Sequence, residues 1–242
     1  MLGGRVTSTP RSVAAGALFA ALLAAAACTP QPAEPTSARA SGEPSAEAEP
    51  RTIEDADYRV DTDDPVVFLT IDDGATRDPK MAEVLKDAGV KATFFLTDDY
   101  VRQDPDFFRE LSQETGSAIE NHTIDHPDLA RASAKEQRRQ ICSTSDRYEE
   151  EFGRRPTLLR PPYGSFDDDT LRAAAECGAT HVVHWSAEID DGRIRFAAGD
   201  RLRPGDIVLM HFREQFSADI AAFVAAAEKS GLEPALLEDY LT

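Results

Sequence analysis

From Pro65 onward the chain alternates between two apolar rhythms, and that alternation restricts the folds open to it. Pro65-Val-Val-Phe-Leu-Thr-Ile71 is a nearly continuous, β-branched run, the pattern of a strand buried on both faces. Asp78 to Ala88 follows with Met81, Val84, Leu85 and Ala88 at helical spacing, and Gly89 stands where such a helix would stop. The pairing recurs. Strands are predicted at 90–96, 117–120, 157–160, 180–185 and 206–211, helices at 105–115, 133–152, 167–177 and 218–229, and residues 232–237 close the sheet. Repeated strand–helix units imply α/β architecture with a parallel sheet or a (β/α) barrel, whose functional face lies at the C-terminal strand ends. The stretch 192–204 is too short for a full helical unit, so the barrel is expected to be abbreviated.

The N-terminal region follows other rules. Residues 1–27 carry Arg5 and Arg11, no acidic residue, and an apolar run from Val13 that ends Ala25-Ala26-Ala27-Cys28, the plan of a secretion signal. The run is shorter than the roughly 20 residues of a spanning helix. Small residues before Cys28 match a lipobox, with Cys28 acylated as the new N-terminus, although Ala25 stands where Leu is more usual. An ordinary signal peptide with an incidental cysteine is the other reading. Residues 28–60 are expected to form a lipid-anchored flexible linker, because Thr29 to Pro50 is Pro, Ala, Ser and Glu with almost nothing to bury. Residues 61–242 are then the folded domain. Removing the leader leaves Cys142 and Cys177 as an even pair in an oxidising compartment, open either to a disulfide or to two buried thiols. A formal net charge of −18 repels phosphate backbones and anionic lipid, which excludes nucleic acid as the natural partner.

Several predicted strands end in ionisable clusters. The first ends Thr70-Ile71-Asp72-Asp73-Gly74, two adjacent carboxylates that regular strand geometry would send to opposite sides. Another ends Glu120-Asn121-His122-Thr123-Ile124-Asp125-His126. Histidines at i, i+4 share a face where the chain coils, close enough to share one metal ion, and with one carboxylate they make a three-ligand site with open positions. Arg160-Pro161-Pro162-Tyr163-Gly164 ends a third strand, where two prolines fix a backbone that could aim the Tyr163 N–H at a substrate oxygen. Ile207-Val-Leu-Met-His211 ends in a lone histidine. His181 and His184 read as packing or rim residues, and Asp167-Asp168-Asp169 as acidic charge complementing a helix N-terminus.

Taken together, Asp-Asp-Gly, His-x-x-x-His, Arg-Pro-Pro-Tyr-Gly and a strand-terminal Leu-x-His, in that order, resemble the polysaccharide deacetylases of carbohydrate esterase family 4, the NodB homology domain. The resemblance runs from about Val66 to the C-terminus. It implies a distorted (β/α) barrel, a divalent metal (usually zinc, although cobalt or nickel would also be accepted), and hydrolysis of N- or O-acetyl groups on glycans. On that basis Asp73, His122 and His126 would hold the metal, Asp72 would act as general base, and Arg160 would orient it and keep it ionised. The Tyr163 N–H would meet the oxyanion, His211 would protonate the leaving group, Asp191 would hold His211 cationic, and Leu209 would line a pocket for the acetyl methyl. Two positions depart from the family pattern: Ile71 stands where an aromatic is usual, and Gly192 where a Trp follows the Asp, with Trp185 no evident substitute. An envelope location makes peptidoglycan the first expected substrate, with the membrane reached through the lipid anchor only and no protein partner implied. Chitin- or xylan-type glycans, a small amide, or a non-catalytic glycan-binding role are the alternatives.

Overall fold

A computed structural model describes residues 52–241. The signal segment 1–27, Cys28 and the linker as far as Arg51 lie outside the described residues. A ten-stranded sheet dominates the rest. Its strands are β1 (Ala56–Asp57), β2 (Val66–Asp73), β3 (Ala92–Leu96), β4 (Ala118–Asn121), β5 (Leu158–Leu159), β6 (His181–Val183), β7 (Ala187–Asp190), β8 (Arg193–Phe196), β9 (Ile207–His211) and β10 (Glu233–Ala235). Neighbours run β1-β6-β5-β4-β3-β2-β9-β7-β8, with β10 alongside β2, and every pairing is parallel except that of β7 with β8. The helices are α1 (Met81–Ala88), α2 (Asp98–Val101), α3 (Pro105–Thr115), α4 (Ala134–Phe152), α5 (Asp168–Glu176) and α6 (Phe216–Ser230).

Local signals set most helix boundaries. Ser133 caps α4 by accepting from the Glu136 N–H, and Asp167 and Thr170 form a reciprocal capping box at the start of α5. The acidic run at 167–169 therefore serves a helix N-terminus. Strand alternation sends the apolar residues of β2 to the two faces of the sheet. Val67, Leu69 and Ile71 of β2 pack outward in a cluster with Leu85 of α1, Phe108 of α3 and Phe223 of α6, while Phe68 faces the sheet interior with Phe95, Leu158, Val183 and Leu237. Thr70 and Asp72 keep the inward parity of Phe68. The long apolar run thus has two polar residues on its inner face, and they define the site end of the barrel.

One expectation changes, and the abbreviated part of the barrel takes a definite form. The linker does not extend to residue 60: β1 pairs with β6, Ala56 and Val60 are buried, and Ile53 packs against the cluster around Leu159 and Leu171. The short segment after residue 186 is an antiparallel hairpin, β7 and β8 joined through Asp191-Gly192, where a further β/α unit would otherwise stand. Asp-Gly with positive φ at both residues (53° and 68°) is the turn that matches strand twist in a two-residue hairpin. Cys142 on α4 and Cys177 after α5 form a disulfide, with Cα atoms 4.8 Å apart.

Candidate active site

The polar strand ends meet at one end of the barrel. Asp72 lies in register with His211 on the neighbouring β9 and with Phe95 on β3. Asp73 breaks the strand with φ 77°, which returns its side chain to the side Asp72 already faces. Both carboxylates consequently approach one atom: His122 Nε2 is 3.7 Å from Asp72 Oδ2 and 3.6 Å from Asp73 Oδ1. His126 joins them, its Nε2 3.4 Å from Asp73 Oδ1. The loop that carries the histidines bends through positive φ at Thr123 (69°) and His126 (60°), conformations that cost on the order of 1–3 kcal/mol each for residues with a Cβ. Backbone ties offset that strain, since the Thr123 and Ile124 carbonyls accept from the Asp98 and Asp99 N–H groups.

Donor chemistry suits a cation. One ligand atom from each of Asp73, His122 and His126 lies within 4.8 Å of the others. His122 Nδ1 is 2.7 Å from the Arg160 carbonyl, which fixes the proton on Nδ1 and leaves the Nε2 lone pair directed at the carboxylates. Burial, opposed by the Asp73 charge, pushes the His122 imidazole down to about 3, so it stays neutral as a ligand must. Asp73 Oδ1 is buried with no hydrogen-bond partner among the described residues. A buried carboxylate oxygen left without a donor carries a desolvation cost that a metal ion at this point would remove.

Arg160 is 0% exposed and is the largest fully buried side chain described. Its NH1 donates to Asp72 Oδ1 at 2.8 Å and to Thr70 Oγ1 at 2.7 Å, and its NH2 and Nε donate to the His184 and Val183 carbonyls. Phe95 stacks under the guanidinium at 4.3 Å. Asp72 therefore has one oxygen immobilised and the other, Oδ2, free on the side of the histidines. Thr70 had no place in the sequence reading. It donates to the Val208 carbonyl while accepting from Arg160, so it ties the arginine to β9. Its signal was a hydroxyl at the inward parity of an otherwise apolar strand.

The Arg-Pro-Pro-Tyr-Gly turn carries Tyr163 at φ 60°, with its ring 71% exposed and edge-on to His126 at 4.6 Å. The Gly164 and Ser165 N–H groups turn back to the Pro161 and Pro162 carbonyls. Gly164 is required here, since a Cβ would fall 2.6 Å from His184 Cε1. His184, set aside as packing, is the side chain on which this turn rests, caged by Tyr58, Phe166 and Trp185. Leu209 is buried two residues before His211 and shares its side of β9.

Asp191 is not brought to His211. It sits exposed at the tip of the β7–β8 hairpin, whose Gly192 N–H is drawn 2.7 Å onto Asp219 of α6. Asp190, which precedes it, pairs with Arg213 at 2.5 Å. His211 Nδ1 is buried and has no partner among the described residues. The expected His–Asp couple is absent because the turn closes toward α6.

Comparison with known proteins agrees with this geometry. The family pattern for polysaccharide deacetylases matches residues 59–182, the span that carries Asp72, Asp73, His122, His126, Arg160 and Tyr163. An uncharacterized protein of Streptomyces coelicolor is 39% identical over 211 residues, 84% of either chain. A peptidoglycan-N-acetylglucosamine deacetylase of Bacillus cereus is 34% identical over 155 residues, 60% of this chain and 55% of that one, so the chain spans about half its length. Among solved structures, a mutant of a carbohydrate esterase family 4 pseudoenzyme of Bacillus anthracis with restored activity is similar at a TM-score of 0.67 and 26% identity, covering 81% of this chain and 72% of that one. On these matches, and on the strand-end site they share a fold with, the chain belongs to the polysaccharide deacetylase family.

Proposed function

We infer that the protein is a metal-dependent hydrolase that removes acetyl groups from an envelope glycan. The observation that carries this reading is the convergence of Asp73, His122 and His126 beside an Asp72 whose other oxygen is locked by a fully buried arginine. Those three residues would hold a divalent cation, zinc first among candidates, with cobalt or nickel also suited to two imidazoles and a carboxylate. When bound, such an ion supplies Lewis-acid polarisation of a carbonyl and lowers the pKa of water.

The chain's own groups account for the remaining work. Asp72 takes a proton from the attacking water at Oδ2, and Arg160 and Thr70 hold Oδ1 so that this geometry does not relax. The Tyr163 N–H donates to the oxygen on which negative charge develops, a contribution on the order of 3 kcal/mol for one well-placed donor. His211 gives a proton to the departing nitrogen or oxygen, and Leu209 closes the site behind the acetyl methyl. Peptidoglycan is the first substrate class, supported by the relative that acts on it and by a leader that reads as a lipoprotein signal, with the enzyme held at the outer face of the membrane. No helix among the described residues is long and apolar enough to cross a membrane.

One observation favours a second reading, a binding protein without turnover. His211 lacks the carboxylate partner the family pattern supplies, and structural neighbours include a pseudoenzyme. Acetate release from N-acetylated envelope glycan separates the two. The hydrolase reading requires release that chelator abolishes and zinc restores, and no release under either condition would leave only binding.

A further inference from the structure

The chain is strongly acidic, yet one edge of its sheet is basic. Arg193, Arg195, Arg201 and Arg203 fall within eleven consecutive residues that contain a single acid, Asp200. β8 is the last strand of the sheet, so this segment forms its open edge and the loop that leaves it. Nearly every other arginine described is neutralised by a carboxylate. Among the described residues the arginines without an ion pair are Arg77, Arg193, Arg201 and Arg203, and Arg77 is instead held by Gly74, Tyr100 and Gln103. Arg193 stands opposite Asp190 in the β7–β8 ladder and alternates with Ile194, so it lies on the other face of the strand, and Arg201 and Arg203 in the loop after β8 are the free guanidinium groups beside the groove.

Beneath the edge runs a groove of about 300 Å³ between β8 and α6. Ile194, Phe196, Ala222 and Ala226 form an apolar floor, and Arg201 and Lys229 stand on its rim beside a single acid, Asp200. Gly192, where the family pattern has Trp, lines the groove, and β7 is joined to the site strand β9 through the Ala187–Val208 and Glu188–Leu209 pairs. At physiological salt a charge is screened beyond roughly 8 Å, so the net acidity of the chain does not cancel a local row of arginines.

We propose that the groove between β8 and α6, with the loop that follows β8, forms a docking site for an acidic polysaccharide strand, its carboxylates on Arg201, Arg203 and Lys229 and its sugar-ring faces on Ile194 and Phe196. Guanidinium forks suit carboxylates, and an apolar concave floor suits the C–H faces of pyranose rings. A bilayer fits less well, because among the described residues the large apolar side chains that are mainly exposed, Tyr58 and Tyr163, are not on this edge. The inference rests on the glycan-hydrolase reading above and sharpens its substrate from any acetylated glycan to one bearing acid groups.

Affinity electrophoresis through gels containing polygalacturonate tests it, because that polymer carries carboxylates and no acetyl groups, so binding is read without turnover. The full chain should be retarded, with retardation falling as salt rises. R201E/R203E/K229E should weaken binding by roughly 100-fold, about fivefold for each basic residue facing an anionic surface, and the milder R201Q/R203Q should weaken it by roughly 25-fold on the same basis. Unchanged near-ultraviolet circular dichroism checks the fold of both variants. No retardation of the wild type, equal retardation by neutral dextran, stronger retention by polyphosphate or by anionic vesicles, or wild-type binding by both variants would each overturn the proposal. A catalytically silent protein that still binds polygalacturonate would sink the hydrolase reading and leave the docking site standing.

Discussion

Replacing Arg160 by Met while leaving Asp72 in place tests the structural logic of the site. The guanidinium is fully buried and makes one charge-assisted bond to Asp72, one bond to Thr70 and two to backbone carbonyls. Burial pulls the Arg160 pKa down and the Asp72 charge opposes that. Removing one partner of such a pair strands the other at 3% exposure, a penalty of about 3–5 kcal/mol. For a domain of this size that corresponds to a fall in Tm of roughly 6–20 °C. Arg160→Met/Asp72→Asn should recover about 1–3 kcal/mol of the loss, since neither charge is then buried alone, while turnover stays absent in both variants. Metal content should hold, because His122 is oriented by the Arg160 carbonyl, which the substitution keeps. Urea unfolding of the two single variants and the double variant gives the coupling directly. A single variant that loses less than about 1 kcal/mol, or a double variant no more stable than Arg160→Met, would refute the view that this pair is one electrostatic unit.

Three further outcomes follow from the same structure. Asp72→Asn should retain bound metal and lose turnover by about 10²–10⁴-fold, the usual weight of a general base, whereas His126→Ala should lose metal as well; metal analysis beside acetate release checks both. Glu238, half-buried and bonded to the Thr93 hydroxyl, is pushed up to about 7 by burial and by the neighbouring Glu120 charge, so the folded state binds the extra proton between pH 4.5 and 7. Stability should therefore fall as pH rises through that window and level off above it, and Glu238→Gln should remove the slope and gain about 2 kcal/mol at pH 8, read from urea midpoints. Gly164→Ala combines φ 65° with a Cβ that would strike His184, so it should displace the Tyr163 turn and cut kcat by at least tenfold with metal content unchanged, which steady-state kinetics would show.

Chemistry and order were legible in one dimension. Strand periodicity placed Asp72, Asp73, His122, Arg160 and His211 at strand ends because a buried parallel strand must be apolar until it reaches the functional face. Helix limits at α3, α4 and α5 are held by Asp104, Ser133 and Asp167 as caps and, for α3 and α4, by Gly116 and Gly153 as stops, all local interactions. What the linear pattern left out depends on contacts far apart in the chain. Thr70 gains its place from Arg160, ninety residues away, His184 from Gly164, and Glu238 from Thr93 on β3 and Glu120 on β4. Asp191 failed for the same reason. Its spacing matched the family pattern, but the direction of its side chain was decided by a turn tied to Asp219 on α6. Sequence by itself determined which positions could bear charge at the barrel end, because periodicity is a property of neighbours along the chain. Tertiary structure alone decided which of those charges meet, because that depends on sheet register, on reversed φ at Asp73, and on how each loop closes.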